Sequence, residues 1–245
     1  MVSDIDLGRA EETCDLARKE GAEAAIAVRS DVTSLSDVEA LAAEAERAFG
    51  GADVVINNAG VAVAGLVGEL PIPDWDFVLR VNLWGVIHGC HVFVPKLRAR
   101  GSGFLLNVAS CAGIASLPEM APYNVSKAAV ISLSETLAIE LSEANIQVSC
   151  LCPTFFRTNL MDSFRGGGRQ RTIADALVNK SHVTADEIAK AGLRGLEKGE
   201  LIVVPQLDGT LVWRAKRYVP GLYRAALRVN QKLDLLGRAM GGGRS

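Results

Sequence analysis

The stretch Asp53-Val54-Val55-Ile56-Asn57-Asn58-Ala59-Gly60 decides how this chain folds. Its β-branched centre suits a strand. The run is continuously apolar instead of alternating, which predicts a strand over 53–57 buried on both faces. Sheets of that kind are parallel and need crossover helices, and the rest of the chain supplies them. Short apolar runs at 24–29, 104–108, 147–152 and 201–204 read as further strands. Helices are expected at 7–20, stopped by Gly21, and at 36–49, capped by Ser36 and closed by Gly50-Gly51. A long helix over 74–100 ends at Gly101, and two more cover 121–143 and 185–198. The segment 153–181, with Gly166-Gly167-Gly168, reads as a long irregular loop of the functional or mobile kind. The tail carries two helical stretches divided by Pro220-Gly221, and no internal repeat is present.

The chain has 245 residues, 49% hydrophobic and 5% aromatic, which suits one α/β domain with a sizeable core. A formal net charge of -2 carries no nucleic-acid signature. The balance shifts in the tail. From Leu211 to Ser245 the basic residues Arg214, Lys216, Arg217, Arg224, Arg228, Lys232, Arg238 and Arg244 face a single acid, Asp234. Cys14, Cys90, Cys111, Cys150 and Cys152 form no Cys-x-x-Cys pair. An odd count without clustered histidines points to reduced cytosolic thiols and to neither a disulfide framework nor a zinc site. Cys150 and Cys152 should share one face of a strand. His88 and His91 lack a matching ligand set and read as structural. The first residues do not read as a signal peptide, lacking a basic and then a long apolar region, and no uninterrupted apolar run reaches the roughly 20 residues that span a bilayer.

The chemistry concentrates in Tyr123-Asn124-Val125-Ser126-Lys127. Tyr123 and Lys127 are four apart and therefore share a helix face, one turn from each other. An ammonium beside a phenol favours the phenolate and lowers its pKa from about 10, as acid–base work near neutral pH requires. Thirteen residues earlier, Ser110 ends an apolar strand, at the sheet edge where ligands bind. From there its hydroxyl can reach the same substrate oxygen.

In these motifs residues 1 to about 205 resemble the classical short-chain dehydrogenase/reductase family. Asp31-Val32 looks like the pair that contacts adenine. Asn57-Asn58-Ala59-Gly60 matches the signature after the fourth strand, and Val81-Asn82-Leu83 carries the helix asparagine. Ser110, Tyr123 and Lys127 complete a tetrad with Asn82, and Pro153 and Thr158 fit the segment that closes on the nicotinamide. The resemblance implies a Rossmann-like, doubly wound parallel sheet in three α/β/α layers. It also implies roles. Tyr123 moves the proton, Lys127 holds the nicotinamide ribose, Ser110 polarises the carbonyl, and Asn82 supports the helix geometry. Asn58, Ala59 and Gly60 would flank the cofactor. Asp4 falls where the family places an acid at the end of the second strand. A carboxylate there binds ribose hydroxyls and repels a 2′-phosphate, favouring NAD over NADP. Alternatively Asp4 caps the following helix, with Asp6 as its competitor.

One element of the pattern is not in the sequence. Val2-Ser3-Asp4 reads as the end of a strand already inside a fold, and no Gly-x-x-x-Gly-x-Gly turn occurs. The fold is thus expected without its first βα unit, a piece of roughly 30 residues. Weak cofactor affinity and low stability are expected for residues 1–245 alone, because strands two and four would lack their shared neighbour. Thr154 also replaces the family's glycine after Pro153.

The expected organisation is a truncated Rossmann-type domain over 1–205, with a substrate loop at 153–181, and a basic helical extension over 206–245. Leu117 and Met120, with Phe155, Phe156 and Met161, would line the pocket beside Ser110, so a lipophilic alcohol or ketone is the expected substrate. The alternative for these side chains is ordinary packing. The expected function is NAD(P)-dependent interconversion of a secondary alcohol and a ketone, or of an alcohol and an aldehyde, by a cytoplasmic homodimer or homotetramer. The basic tail over 211–239 raises a peripheral membrane contact. The competing reading is a catalytically impaired fragment that acts, if at all, by oligomerisation or membrane-surface association.

Overall fold

A computed structural model describes residues 1–233. In chain order the elements are β1 (Val2–Asp4), α1 (Leu7–Lys19), β2 (Ala27–Arg29), α2 (Leu35–Phe49), β3 (Val54–Asn57), α3 (Ile72–Leu79), α4 (Gly85–Arg100), β4 (Gly103–Val108), α5 (Cys111–Ala115), α6 (Ala121–Glu140), β5 (Ile146–Leu151), α7 (Gly168–Lys180), α8 (Ala185–Glu197), β6 (Ile202–Val203), α9 (Leu207–Tyr218) and α10 (Pro220–Leu233). Every strand pairing is parallel. Among the described residues the strands form two sheets, β1-β2 and β3-β4-β5-β6. β1 and β3 are therefore both edges. The first pair is held to the rest mainly by side chains: Val32 packs on Gly85, and the Val32 carbonyl meets His88 Nδ1 at 2.8 Å.

α4 and α6 cover one face of the larger sheet, and α2 packs on α4. Leu97, Leu105, Val130, Leu141 and Val148 are fully buried there, each stabilising by about 1.5–3 kcal/mol. α8 covers the other face over β4, β5 and β6, with Leu106, Leu151, Ile188, Leu196 and Val203 between them. This corrects the expectation that the strand around Val55 is buried on both faces. Val55 is 6% exposed, but Val54 and Ile56 are 46% and 49% exposed, because α8 does not extend over β3.

Several boundaries differ from those expected. Ser34, not Ser36, caps α2, since its hydroxyl accepts from Asp37 N while donating to Asp37 Oδ1 at 2.8 Å. The expected helix over 74–100 starts at Ile72 behind Pro71 and is broken by a π-helical segment, Arg80–Trp84. By length and composition this 29-residue stretch could cross a bilayer. Here it is a core helix, with Val78, Asn82, Val86, Phe93 and Leu97 buried. The segment 153–181 is not irregular throughout. A 3-10 turn spans Asn159–Ser163 and α7 follows the glycine run, because Gly167 takes an extended conformation as N-cap and 168–180 has no internal helix breaker.

A polar chain, half-buried at Asn57 and fully buried at Asn107 and Ser134, crosses the larger sheet. Asn57 Nδ2 donates to Asn107 Oδ1 at 2.8 Å, Asn107 Nδ2 donates to Ser134 Oγ at 3.0 Å, and Ser134 Oγ donates to the Val130 carbonyl at 2.8 Å. Gly89 of α4 leaves room for it, as a Cβ there would lie 2.0 Å from Asn57 Oδ1.

Candidate active site

The carboxyl ends of β3, β4 and β5 supply the site. After β4, Ser110 caps α5: its Oγ accepts from Ala112 N at 3.1 Å and donates to the Pro153 carbonyl at 3.4 Å. Cys111 N donates to the same carbonyl at 2.8 Å, so Pro153, just past β5, is pinned beside Ser110. α5 then meets α6 at backbone distance. A Cβ on Gly113 would lie 2.6 Å from Lys127 C and 2.7 Å from Ala128 N. The connection passes through Ser116 (φ 57) and Glu119 (φ 61), two non-glycine residues in the left-handed region. It delivers Tyr123 to the first turn of α6.

Tyr123, Lys127 and Ser110 converge. Tyr123 is buried, with its hydroxyl near enough to Ser110 for the serine hydroxyl to favour the phenolate. Lys127 Nζ lies 5.9 Å from the Tyr123 ring centroid and donates to the Val108 carbonyl at 2.8 Å. Asn82 does not touch either reactive group directly. Fully buried in the π-helical turn, its Oδ1 accepts from Val61 N at 2.8 Å, and its Nδ2 donates to the Val61 carbonyl at 2.9 Å and to Ser126 Oγ at 3.1 Å. From the π-helical turn it thus ties the segment following Gly60 to α6. Asn82→Ala should cost about 3 kcal/mol in urea unfolding, because it strands the buried Val61 amide and carbonyl.

Electrostatics depart from the expectation that Lys127 lowers the phenol's pKa. Burial raises the Tyr123 pKa, partly opposed by the Ser110 hydroxyl. Burial also lowers Lys127 to about 8. Desolvation is the largest influence on both groups and outweighs the opposing Ser110 hydroxyl at Tyr123 and the pull of Cys150 and Cys152 on Lys127. The Tyr123 hydroxyl accordingly holds its proton at neutral pH.

Buried thiols set the alkaline behaviour. Burial raises Cys90 to about 12 and Cys111 to about 11, whereas an unfolded chain ionises its thiols near 8.5. The folded state keeps protons that the unfolded state releases, so stability falls as pH rises above about 9. Lys127 opposes this between about 8 and its ordinary value, where the unfolded state holds the extra proton. Two thiols outweigh one lysine. The urea midpoint should drop between pH 8.5 and 10.5, and Cys90→Ala should flatten that slope. Cys150 and Cys152 do share a face, with sulfurs 3.9 Å apart and no disulfide.

The residues present fit the ribose–nicotinamide end of the expected cofactor. Lys127 spends one of its three N–H donors on Val108. Gly60 opens the space beside it: a Cβ there would be 3.5 Å from Lys127 Nζ. Asn58 and Ala59 are exposed on the same turn. At the far end, Asp6 and not Asp4 caps α1, through Gly8 N at 2.9 Å. Asp4, half-buried at the end of β1, accepts from Asp6 N at 2.9 Å. Asp31 closes its own turn by accepting from Thr33 N at 2.9 Å. Thr158 opens the 3-10 turn without a capping bond. Among the described residues no glycine turn leading into a helix lies between β1 and β3.

Met120 and Met161 pack with Tyr123, Val63, Phe77, Leu160 and Phe164. Phe156 packs instead under α8 with Val108 and Val183. Leu117 holds Asn124 Nδ2 by its carbonyl at 2.7 Å, and the Phe155 carbonyl accepts from Gln206 Nε2 at 3.3 Å. An open groove of about 600 Å³ between β2 and α2 shares no residue with Asn82, Ser110, Tyr123 or Lys127. No metal-ligand cluster occurs among the described residues. Sequence reasoning passed over Gly113 and Gln206, whose roles depend on which elements meet in space.

Comparison with known proteins bears on the family and the fold. The short chain dehydrogenase family model matches residues 1–167. D-beta-hydroxybutyrate dehydrogenase of Rhizobium meliloti is 27% identical over 67% of this chain and 68% of its own length. The probable oxidoreductase EphD of Mycobacterium tuberculosis is 32% identical over 94% of this chain, which spans only 40% of that protein. A short chain dehydrogenase/reductase from Burkholderia phymatum, solved in complex with NAD, superposes with a TM-score of 0.84 at 31% identity, over 90% of this chain and 84% of that one.

Proposed function

Because this chain belongs to the short chain dehydrogenase family, we propose that it interconverts a secondary alcohol and a ketone, or an alcohol and an aldehyde, with a nicotinamide cofactor. The convergence of Ser110, Tyr123 and Lys127 carries the reading. Tyr123 Oη gives its proton to the substrate oxygen in reduction and takes it back in oxidation. Ser110 Oγ hydrogen-bonds that oxygen. Lys127, with donors to spare, holds the ribose and shields the phenol's surroundings from water. The cofactor supplies or accepts the hydride. Asp4 at the end of β1 supports NAD over NADP, since its carboxylate repels a 2′-phosphate.

Met120 and Met161 beside Tyr123 support a lipophilic substrate. Residues 1–205 form the catalytic domain in this reading, with 153–181 as substrate loop and 206–245 as extension, in a cytoplasmic homodimer or homotetramer. The test is titration of residues 1–245 with NADH and NADPH, followed by assays on a series of secondary alcohols of rising chain length. Tighter NADH binding and turnover that increases with chain length support the proposal. No binding at millimolar cofactor would favour the impaired-fragment reading.

A further inference from the structure

We propose that α9 and α10 form a docking surface for an anionic lipid membrane. The two helices grip the body of the protein by one side. Lys216 Nζ donates to the Ile114 carbonyl and to Ser116 Oγ at 3.0 Å, and Tyr223 Oη donates to the Ala115 carbonyl at 2.8 Å. A cation and a hydroxyl from the tail thus complete the C-terminal end of α5. Gly209 packs inward against Thr154 and Cys111.

The opposite sides are apolar and open. Leu207, Leu211 and Tyr218 follow helical spacing away from Gly209 and Lys216, and they are 73%, 57% and 75% exposed. On α10, Leu222 and Val229 are 70% and 53% exposed, with Ala225 and Ala226 also exposed between them. A helix packed on its own domain puts such residues inward; here the outward stripes are the apolar ones. Arg214, Arg217, Arg224 and Arg228 are exposed among and beside them. The single acid of this span, Asp208, already accepts from Thr154 Oγ1 at 3.1 Å. Apolar stripes flanked by arginine match the interface of an anionic bilayer. A second copy would bring the same positive charges together, which disfavours self-pairing. The remainder of the basic stretch expected over 211–239, beyond residue 233, lies outside the described residues.

The surface adjoins α5, whose N-cap is Ser110, so membrane docking would set the candidate site close to the lipid. Binding is independent of cofactor and turnover, so its failure and that of the oxidoreductase reading are separable. The test is co-sedimentation of residues 1–245 with vesicles of phosphatidylcholine alone or mixed with phosphatidylserine, at low and high salt. Preferential sedimentation with the anionic vesicles, weakened by salt, is expected. Leu211→Glu/Leu222→Glu should lower binding at least tenfold without shifting the melting temperature. Arg224→Gln/Arg228→Gln should lower it about tenfold or more, each cation near the surface contributing roughly 1 kcal/mol. Equal binding to neutral vesicles, no binding at all, indifference to both double variants, or a chain-concentration-dependent dimer lost in Leu211→Glu/Leu222→Glu would overturn the proposal.

Discussion

Tyr123→Phe should lower kcat by about 10³-fold in either direction, within the range a positioned acid–base group contributes, with cofactor affinity and melting temperature nearly unchanged. The separation follows from the geometry. The lost atom is one buried hydroxyl beside Ser110, so folding loses about 1 kcal/mol at most. The ribose contact proposed for Lys127 does not pass through that hydroxyl. Because burial raises the Tyr123 pKa, reduction should be flat across neutral pH, while oxidation, which needs the phenolate, should accelerate as pH rises. Steady-state kinetics from pH 6 to 10 with NADH fluorescence titration would check all three. Residual turnover within tenfold of the original chain would remove Tyr123 from its role.

The other large effect is expected at Gly113. In Gly113→Ala the new methyl would sit 2.6–2.8 Å from three backbone atoms of Lys127 and Ala128, none of which can rotate away. α5 must move off α6, carrying Ser110 away from Tyr123. Overpacking of this kind costs about 1–3 kcal/mol, and a shift of about 1 Å between reacting groups costs on the order of 10² in rate. Both changes should appear together: a lowered urea midpoint and a kcat at least 10²-fold down. Ser110→Ala gives the comparison, since it removes the hydroxyl and its α5 cap, at about 1 kcal/mol, without pressing α5 against α6. An unaltered midpoint in Gly113→Ala would show that the helices are not so closely set.

What the sequence made legible divides by the range of the interactions involved. Short apolar runs and glycine stops placed the parallel strands and most helices, because those signals are local. The convergence of Ser110, Tyr123 and Lys127 was legible because Tyr123 and Lys127 share a helix turn and Ser110 ends a strand. The covering of β3 was not legible. Val54 and Val55 look alike in sequence, yet one is half exposed and the other buried, depending on how far α8 extends. Asn82 was recognised by its motif, but its work on Val61 depends on a π-helical turn that 3.6-residue periodicity does not reveal. The pKa of Tyr123 was misjudged because spacing gives proximity to Lys127 but no account of desolvation.

The polar chain through Asn57, Asn107 and Ser134 has a consequence for how the strands find their alignment. β3 and β4 are parallel and nearly uniform in hydrophobicity, so neighbouring alignments bury similar amounts of oil and differ little in energy. Asn57 stands opposite Asn107 in the native pairing. A slide of two residues keeps every side chain on its own face, yet sets the Asn57 amide against Leu105 or Ala109. Asn107, fully buried, would then lose the Asn57 amide as its partner, at about 1–3 kcal/mol for the stranded group. The two amides thus act as a key. They add little net strength, but they make one alignment of an otherwise slippery pair distinguishable from its neighbours.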